Sequence, residues 1–145
     1  MAALKASRTA QYSLWATFSF TIGDTMTNAS GNADEFATAA AHAFDVIPLP
    51  VGATVVGGEV VTDTAFTGST AYNVTVGDSG STNRYLTTTD KTSAGRTALV
   101  PTGYIGTGEN IRLTVTPTVA TATAGKITLR VNYMVANRAN EVQIT

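Results

Sequence analysis

Tyr12-Ser13-Leu14-Trp15-Ala16-Thr17-Phe18-Ser19-Phe20-Thr21-Ile22 alternates apolar and polar side chains with a single exception. Period two is the signature of an extended strand, because successive side chains of a strand point to opposite faces. Tyr12, Leu14, Ala16, Phe18, Phe20 and Ile22 fall on one side, the side expected to meet a core. Ser13, Thr17, Ser19 and Thr21 fall on the other, and Trp15, the only tryptophan, falls with them. A half-buried strand turns its polar side to water. A large aromatic in that phase therefore implies a cover: a neighbouring sheet, a partner molecule or the N-terminal arm of the same chain. We read it as the mark of a protein that binds another protein.

Upstream, residues 1–11 hold Leu4, Lys5 and Arg8 among small residues without period, which reads as an arm that is ordered only when something holds it. Downstream, residues 23–35 are rich in turn formers and read as a long polar loop. Phe36 to Ile47 is ambiguous, since its alanines favour a helix while His42, Phe44 and Val46 alternate with their neighbours. Its second half is expected to be extended, because Pro48 and Pro50 bias the preceding residues away from helix. Residues 53–64 form a valine-rich strand interrupted by Gly57-Gly58, a bulge or a close approach of another backbone. Tyr72 to Val76, Ile111 to Val115 and Ile127 to Val135 alternate cleanly. Between them lie Gly77-Asp78-Ser79-Gly80, Thr102-Gly103, Gly106-Thr107-Gly108 and Ala124-Gly125, all turn material. Short strands at near-regular spacing, with frequent glycine breaks and little helix, predict an all-β chain. The expected architecture is an antiparallel β-sandwich of jelly-roll type, one domain over residues 12–145 behind the arm.

A chain of 145 residues can bury a core without staples. It has no cysteine, which excludes disulfides, thiolate metal sites and cysteine nucleophiles and suits folding in a reducing cytoplasm. The net charge of -1, with Lys and Arg scattered singly, leaves no footprint for a nucleic acid. Only 13% of residues are charged, and threonine, alanine and glycine fill the surface instead, a composition suited to close packing against neighbours. No apolar run approaches membrane-spanning length, and the first residues lack the apolar core of a secretory signal. The chain reads as soluble and unprocessed.

Two fragments imitate a serine protease: Thr38-Ala39-Ala40-Ala41-His42 and Gly77-Asp78-Ser79-Gly80. That chemistry needs a buried aspartate behind the histidine and an oxyanion hole between two complete barrels, which this length does not provide. We expect no catalytic residue, a Gly-Asp-Ser-Gly turn and an inert His42. The Asp78 to Asn83 run lacks the bidentate acid that closes a calcium loop. One histidine without cysteine argues against a transition metal, so no metal or cofactor is expected. Asn28-Ala29-Ser30 and Asn73-Val74-Thr75 match glycosylation sequons, which arise by chance in threonine-rich chains.

From Leu49-Pro50-Val51-Gly52-Ala53 and Gly57-Gly58-Glu59-Val60-Val61 onward, the chain resembles tailed-bacteriophage head decoration, or cement, proteins. The resemblance runs through Val76-Gly77-Asp78-Ser79, Asn83-Arg84-Tyr85-Leu86 and Gly95-Arg96-Thr97-Ala98-Leu99. It continues to Gly125 through Tyr133 and Asn140-Glu141-Val142-Gln143, covering roughly residues 43–145. It implies a jelly roll that docks on the outside of a capsid built from major capsid protein of the HK97-like fold and stabilises the shell. It implies no catalytic residue. Independently of the family, Asp78 and the glycines read as turn residues, Arg84 and Arg96 can pair with local acids, and Tyr85 and Leu86 alternate across a short strand. Capsid or self contact is then expected from Leu4, Lys5, Arg8, Trp15, Asn28 and Asn32. The resemblance further implies a place on a symmetry axis, and so a homodimer or homotrimer, with Trp15 or the Gly57-Gly58 strand near the self-contact. The rival readings are a carbohydrate- or receptor-binding sandwich using Tyr72, Tyr85 and Tyr104, and an exported pilus subunit, for which neither a signal nor a missing strand is visible.

Overall fold

The computed structural model describes residues 12–136, and Leu4, Lys5, Arg8 and Asn140 to Gln143 lie outside them. The chain forms β1 (Leu14–Thr21), β2 (Thr25–Thr27), β3 (Ala33–Glu35), β4 (His42–Ile47), β5 (Ala53–Thr67), β6 (Ala71–Gly77), β7 (Leu86–Asp90), β8 (Gly95–Ala98), β9 (Ile111–Thr118) and β10 (Ala124–Val135). One four-stranded antiparallel sheet runs β1-β10-β5-β8 and a second runs β4-β9-β6-β7, while β2 and β3 pair as a separate hairpin. With that hairpin set aside, the eight strands pair as nested partners: first with last (β1 with β10), then β4 with β9, β5 with β8, and β6 with β7. Successive nested pairs fall alternately in the two sheets. This is one long antiparallel hairpin rolled upon itself, the jelly-roll connectivity the strand pattern predicts.

The period-two strands bury the faces assigned to them. Tyr72, Val74 and Val76 of β6, Ile111, Leu113 and Val115 of β9, and Ile127, Leu129 and Val131 of β10 are fully enclosed between the sheets. Each such side chain contributes about 1.5–3 kcal/mol of burial. All five phenylalanines join one cluster with Tyr72: Phe20 stacks on Phe36 at 3.9 Å between centroids, and Phe66 on Tyr72 at 3.7 Å. Tyr72 satisfies its buried hydroxyl by donating to the Phe36 carbonyl at 2.8 Å.

Three expectations need correction, and one ambiguity is resolved. Residues 23–35 are not wholly loop, because β2 and β3 pair within them; strands of three residues are too short to show a period. Phe36 to Ala41 forms neither helix nor strand, while β4 is extended as expected. Tyr85 and Leu86 do not alternate: both are buried, Tyr85 just ahead of β7. Finally, the apolar face of β1 runs off the core at its start, where Tyr12 and Leu14 are exposed. At Gly57-Gly58 both alternatives hold. The β5–β10 register slips beside Gly57, and a Cβ on Gly58 would collide with the Arg130 carbonyl and Leu99.

Candidate docking surface

The sheet register gathers the exposed apolar residues at one end of the sandwich. Trp15 pairs with Asn132, which pairs with Gly57; Leu14 pairs with Tyr133, which pairs with Val55. Val135 pairs with Ala53, Thr54 bridges to Ile105, and the Gly52 amide donates to the Gly106 carbonyl at 2.8 Å. The Leu99 amide donates to the Gly58 carbonyl, which sets Val100 at the same level. Among the described residues, seven of the eight large exposed hydrophobics therefore share this end: Tyr12, Leu14, Trp15, Val51, Val56, Val100 and Ile105; Val119 sits at the other. Apolar side chains scattered singly are ordinary, but a gathering at one end of a sandwich makes that end a candidate interaction site. Two strands from Trp15, across Asn132, Gly57 has open space where a side chain would stand.

A polar brace holds the loops of this end. The Asp78 carboxylate accepts from the Gly80 and Ser81 amides at 2.9 and 2.8 Å, and from Arg84 Nε and Nη2 at 2.5 and 3.2 Å. The Arg84 guanidinium lies 3.6 Å over the Tyr104 ring, whose hydroxyl donates to Glu109 at 2.8 Å. Glu109 also accepts from the Thr107 hydroxyl and amide. These donors, the Thr107 hydroxyl foremost, pull the Glu109 carboxyl down to about 2. The 77–85 and 100–109 loops are thus fastened to each other, so Val100 and Ile105 are displayed on a rigid mount. On the outer face of the sheet, Glu59 accepts from both Arg96 and Arg130, which lowers its carboxyl below the usual range. The sheet's exposed charges near Trp15 are in this way paired among themselves.

Trp15 is 60% exposed among the described residues, pointing away from the core as its phase requires. Asn28 and Asn32 lie elsewhere, on the hairpin that hangs from the Thr21 end of β1, about 20 Å along the strand from Trp15. The Asn28 side chain is spent on its own turn, accepting from the Ser30 and Asn32 amides and donating to Asp34 at 3.0 Å. Val51, Val100 and Ile105 escaped the sequence reading. Their signal was present: each apolar residue is bounded by a turn former, as in Pro50-Val51-Gly52, Val100-Pro101 and Ile105-Gly106.

His42 has an aspartate, since Nδ1 meets Asp34 Oδ2 at 2.6 Å, but its Nε2 faces the Thr38 carbonyl at 3.2 Å. The Asn28 amide and then His42 hold the Asp34 carboxyl below its ordinary value. In the sheet register, His42 lies level with Val115 and Val74, and Gly77 lies level with Arg112 and Asp45. The start of the Ser79 turn is therefore about 10 Å across the sheet and about 10 Å along it from the imidazole. At that separation the imidazole does not reach the turn. Both Asp78 oxygens are engaged by amides and arginine, which leaves no carboxylate for a cation. Of the tyrosines considered for sugar binding, Tyr72 and Tyr85 are buried and Tyr104 lies beneath Arg84.

No family model matches the chain, and no curated protein does. Solved structures do. A chain in the capsid asymmetric unit of cyanophage Pam1 is similar over 93% of this chain and 92% of its own length, with a TM-score of 0.61 and 25% identity. These are phage capsid chains. Another, from the acidic stable capsid of Helicobacter pylori bacteriophage KHP30, reaches a TM-score of 0.59 at 19% identity, covering 87% of this chain and 90% of that one. A third, from the capsid of Ralstonia phage GP4, reaches 0.59 at 18% identity and covers 93% and 92%. At 18 and 19% identity the likeness speaks for the fold alone. The all-β antiparallel sandwich is thus shared, over nearly the whole chain, with chains found in phage capsids.

Proposed function

We propose that this chain is a non-enzymatic virion structural protein. It folds in the host cytoplasm and binds the outer surface of a phage capsid, whose partner is a major capsid protein of the HK97-like fold, and it stabilises the shell. The observation that carries the reading is the apolar end built from Trp15, Val51, Val56, Val100 and Ile105, on a fold shared with phage capsid chains. Mechanically, each copy contributes a modest apolar contact, and many copies on a lattice make attachment durable through avidity. The N-terminal arm with Leu4, Lys5 and Arg8 adds a tether. The His42 and Ser79 geometry supports the non-enzymatic part of the reading.

The test is reconstitution on shells that lack the protein, read by added outer density in a reconstruction and by co-sedimentation. Trp15→Ala and Ile105→Asp should lose attachment. Truncating a buried aromatic anchor costs about 2 kcal/mol, roughly thirty-fold per site, and avidity multiplies the loss. Val119→Asp, at the far end, should bind normally. Equal binding by all three variants would refute the docking end, and absence of outer density would refute the decoration role.

A further inference from the structure

A jelly roll leaves four sheet edges, and three of them here are blunted. β8 has four residues and carries Arg96; β7 carries Asp90 and slips register against β6. β4 carries Asp45, slips register against β9, and receives the Ala29 amide on its Ala43 carbonyl. Among the described residues, β1 has none of these devices. It is eight residues long, runs in unbroken register with β10, and belongs to a stretch, Tyr12 to Gly23, without a charge or a proline. Proteins normally disarm such an edge unless something pairs with it.

The open backbone groups can be assigned. The Ile22 amide donates to Gly125 of the neighbouring chain segment, whereas the Thr21 amide and carbonyl turn away from β10, both to Asp24. By antiparallel alternation, Trp15, Thr17 and Ser19 also direct their N–H and C=O groups outward. Asp24 closes the edge at Thr21, so the open set is centred on Thr17. Along the same edge lies a cleft of about 440 Å³ between β1 and the β2–β3 hairpin, bounded by Phe18, Ser19, Phe20, Asp24, Met26 and Phe36.

We propose that the occupant of this edge is β1 of a second copy, antiparallel across a two-fold axis at Thr17, so that two β1-β10-β5-β8 sheets become one. Close to a two-fold axis a charged side chain approaches its own symmetry mate, and β1 alone among the four edges carries no charge. In this register Thr17 meets Thr17 of the partner and Trp15 meets Ser19, each pair exchanging both backbone bonds. The partner's Leu14 then lies beside Phe20 at the cleft. This explains why Leu14, in phase with the core, is exposed by 46% in the single chain. The Trp15 side chains stay on the outer face, so the inference stands whether or not that face binds a shell.

The full chain should sediment as a dimer, twice 15.0 kDa, at micromolar concentration. Thr17→Pro removes only an outward N–H and fills the partner's place, as proline on edge strands does, so it should give a folded monomer. Thr17→Cys provides a second reading that does not depend on that variant folding. The chain has no other cysteine, and paired Cα atoms about 5.5 Å apart are within disulfide reach, so oxidation should yield a covalent dimer while Ser19→Cys alone should not. A monomeric or trimeric wild type, a dimer indifferent to Thr17→Pro, or a dimer that Thr17→Cys fails to cross-link would overturn the proposal. So would a monomer whose shell binding is lost on Thr17→Pro, which would give the edge to a capsid strand. Shell binding by a monomer that Thr17→Pro leaves intact would refute the dimer and leave the docking end standing.

Discussion

Replacing Asp78 by alanine tests whether the Gly77-Asp78-Ser79-Gly80 segment is a structural fastener, with Ser79→Ala as its internal control. The Asp78 carboxylate is 3% exposed and accepts from two backbone amides and the Arg84 fork. Alanine leaves the Gly80 and Ser81 amides without their acceptor and strands a guanidinium that is itself only one-fifth exposed. Breaking one side of a buried pair costs about 3–5 kcal/mol, a large share of the roughly 5–15 kcal/mol available to a domain. With a urea slope of about 1.5 kcal/mol/M, the unfolding midpoint should fall by about 2–3 M. The Ser79 side chain has no hydrogen bond among the described residues, so Ser79→Ala should stay within about 0.5 kcal/mol of wild type. Urea titrations followed by tyrosine and tryptophan fluorescence read both. An Asp78→Ala shift below about 1 kcal/mol, or a Ser79→Ala shift as large as it, would refute the fastener. Hydrolytic turnover abolished by Ser79→Ala would refute the non-enzymatic reading.

The remaining predictions are simpler. Gly125 has φ 147° and its backbone lies under the Phe66 ring, so Gly125→Ala should force the Phe66–Tyr72 stack apart and lower the melting temperature by several degrees; an unchanged melting curve would be contrary evidence. Because the folded Glu109 carboxyl is depressed from 4.5 to about 2, its stabilisation is full above pH 4.5 and lost as pH falls towards 2. The stability gap between wild type and Glu109→Gln should close across that window in acid titrations, and a gap independent of pH would contradict the brace. Lys91 is 2% exposed, with its amine donating to Thr97 at 2.6 Å, and burial lowers its pKa, so the charged form opposes folding until pH rises past the folded value. Lys91→Met should be neutral or stabilising by up to about 2 kcal/mol at pH 7, with the gain shrinking as pH approaches the ordinary lysine range. Clear destabilisation in thermal melts would show that the ammonium is needed.

The strands were legible because their signal is local. Tyr72 to Val76, Ile111 to Val115 and Ile127 to Val135 alternate over enough residues for one face to be assigned, and burial follows that assignment. The outward turn of Trp15 was legible for the same reason. What decays within three residues was not: the Asn28 side chain folds the turn between β2 and β3, and Tyr85 and Leu86 both join the core cluster although only Leu86 lies in β7. Lys91 gave no sign of burial either, since a lysine beside Asp90 reads as a solvated pair until Thr97 closes over it.

The sequence by itself determined the all-β class, the core faces of the main strands and the outward phase of Trp15, because side-chain alternation is a property of consecutive residues. Only the tertiary structure decided where those exposed positions meet. Trp15, the segment holding Val51 and Val56, and the segment holding Val100 and Ile105 are far apart in the chain, and they share an end because the nested pairing of β1 with β10 and of β10 with β5 sets their level along the sandwich. Which edge stays open is decided in the same way. Being at the edge is not written in β1 itself; it follows from β1 having β10 on one side and, among the described residues, no strand on the other.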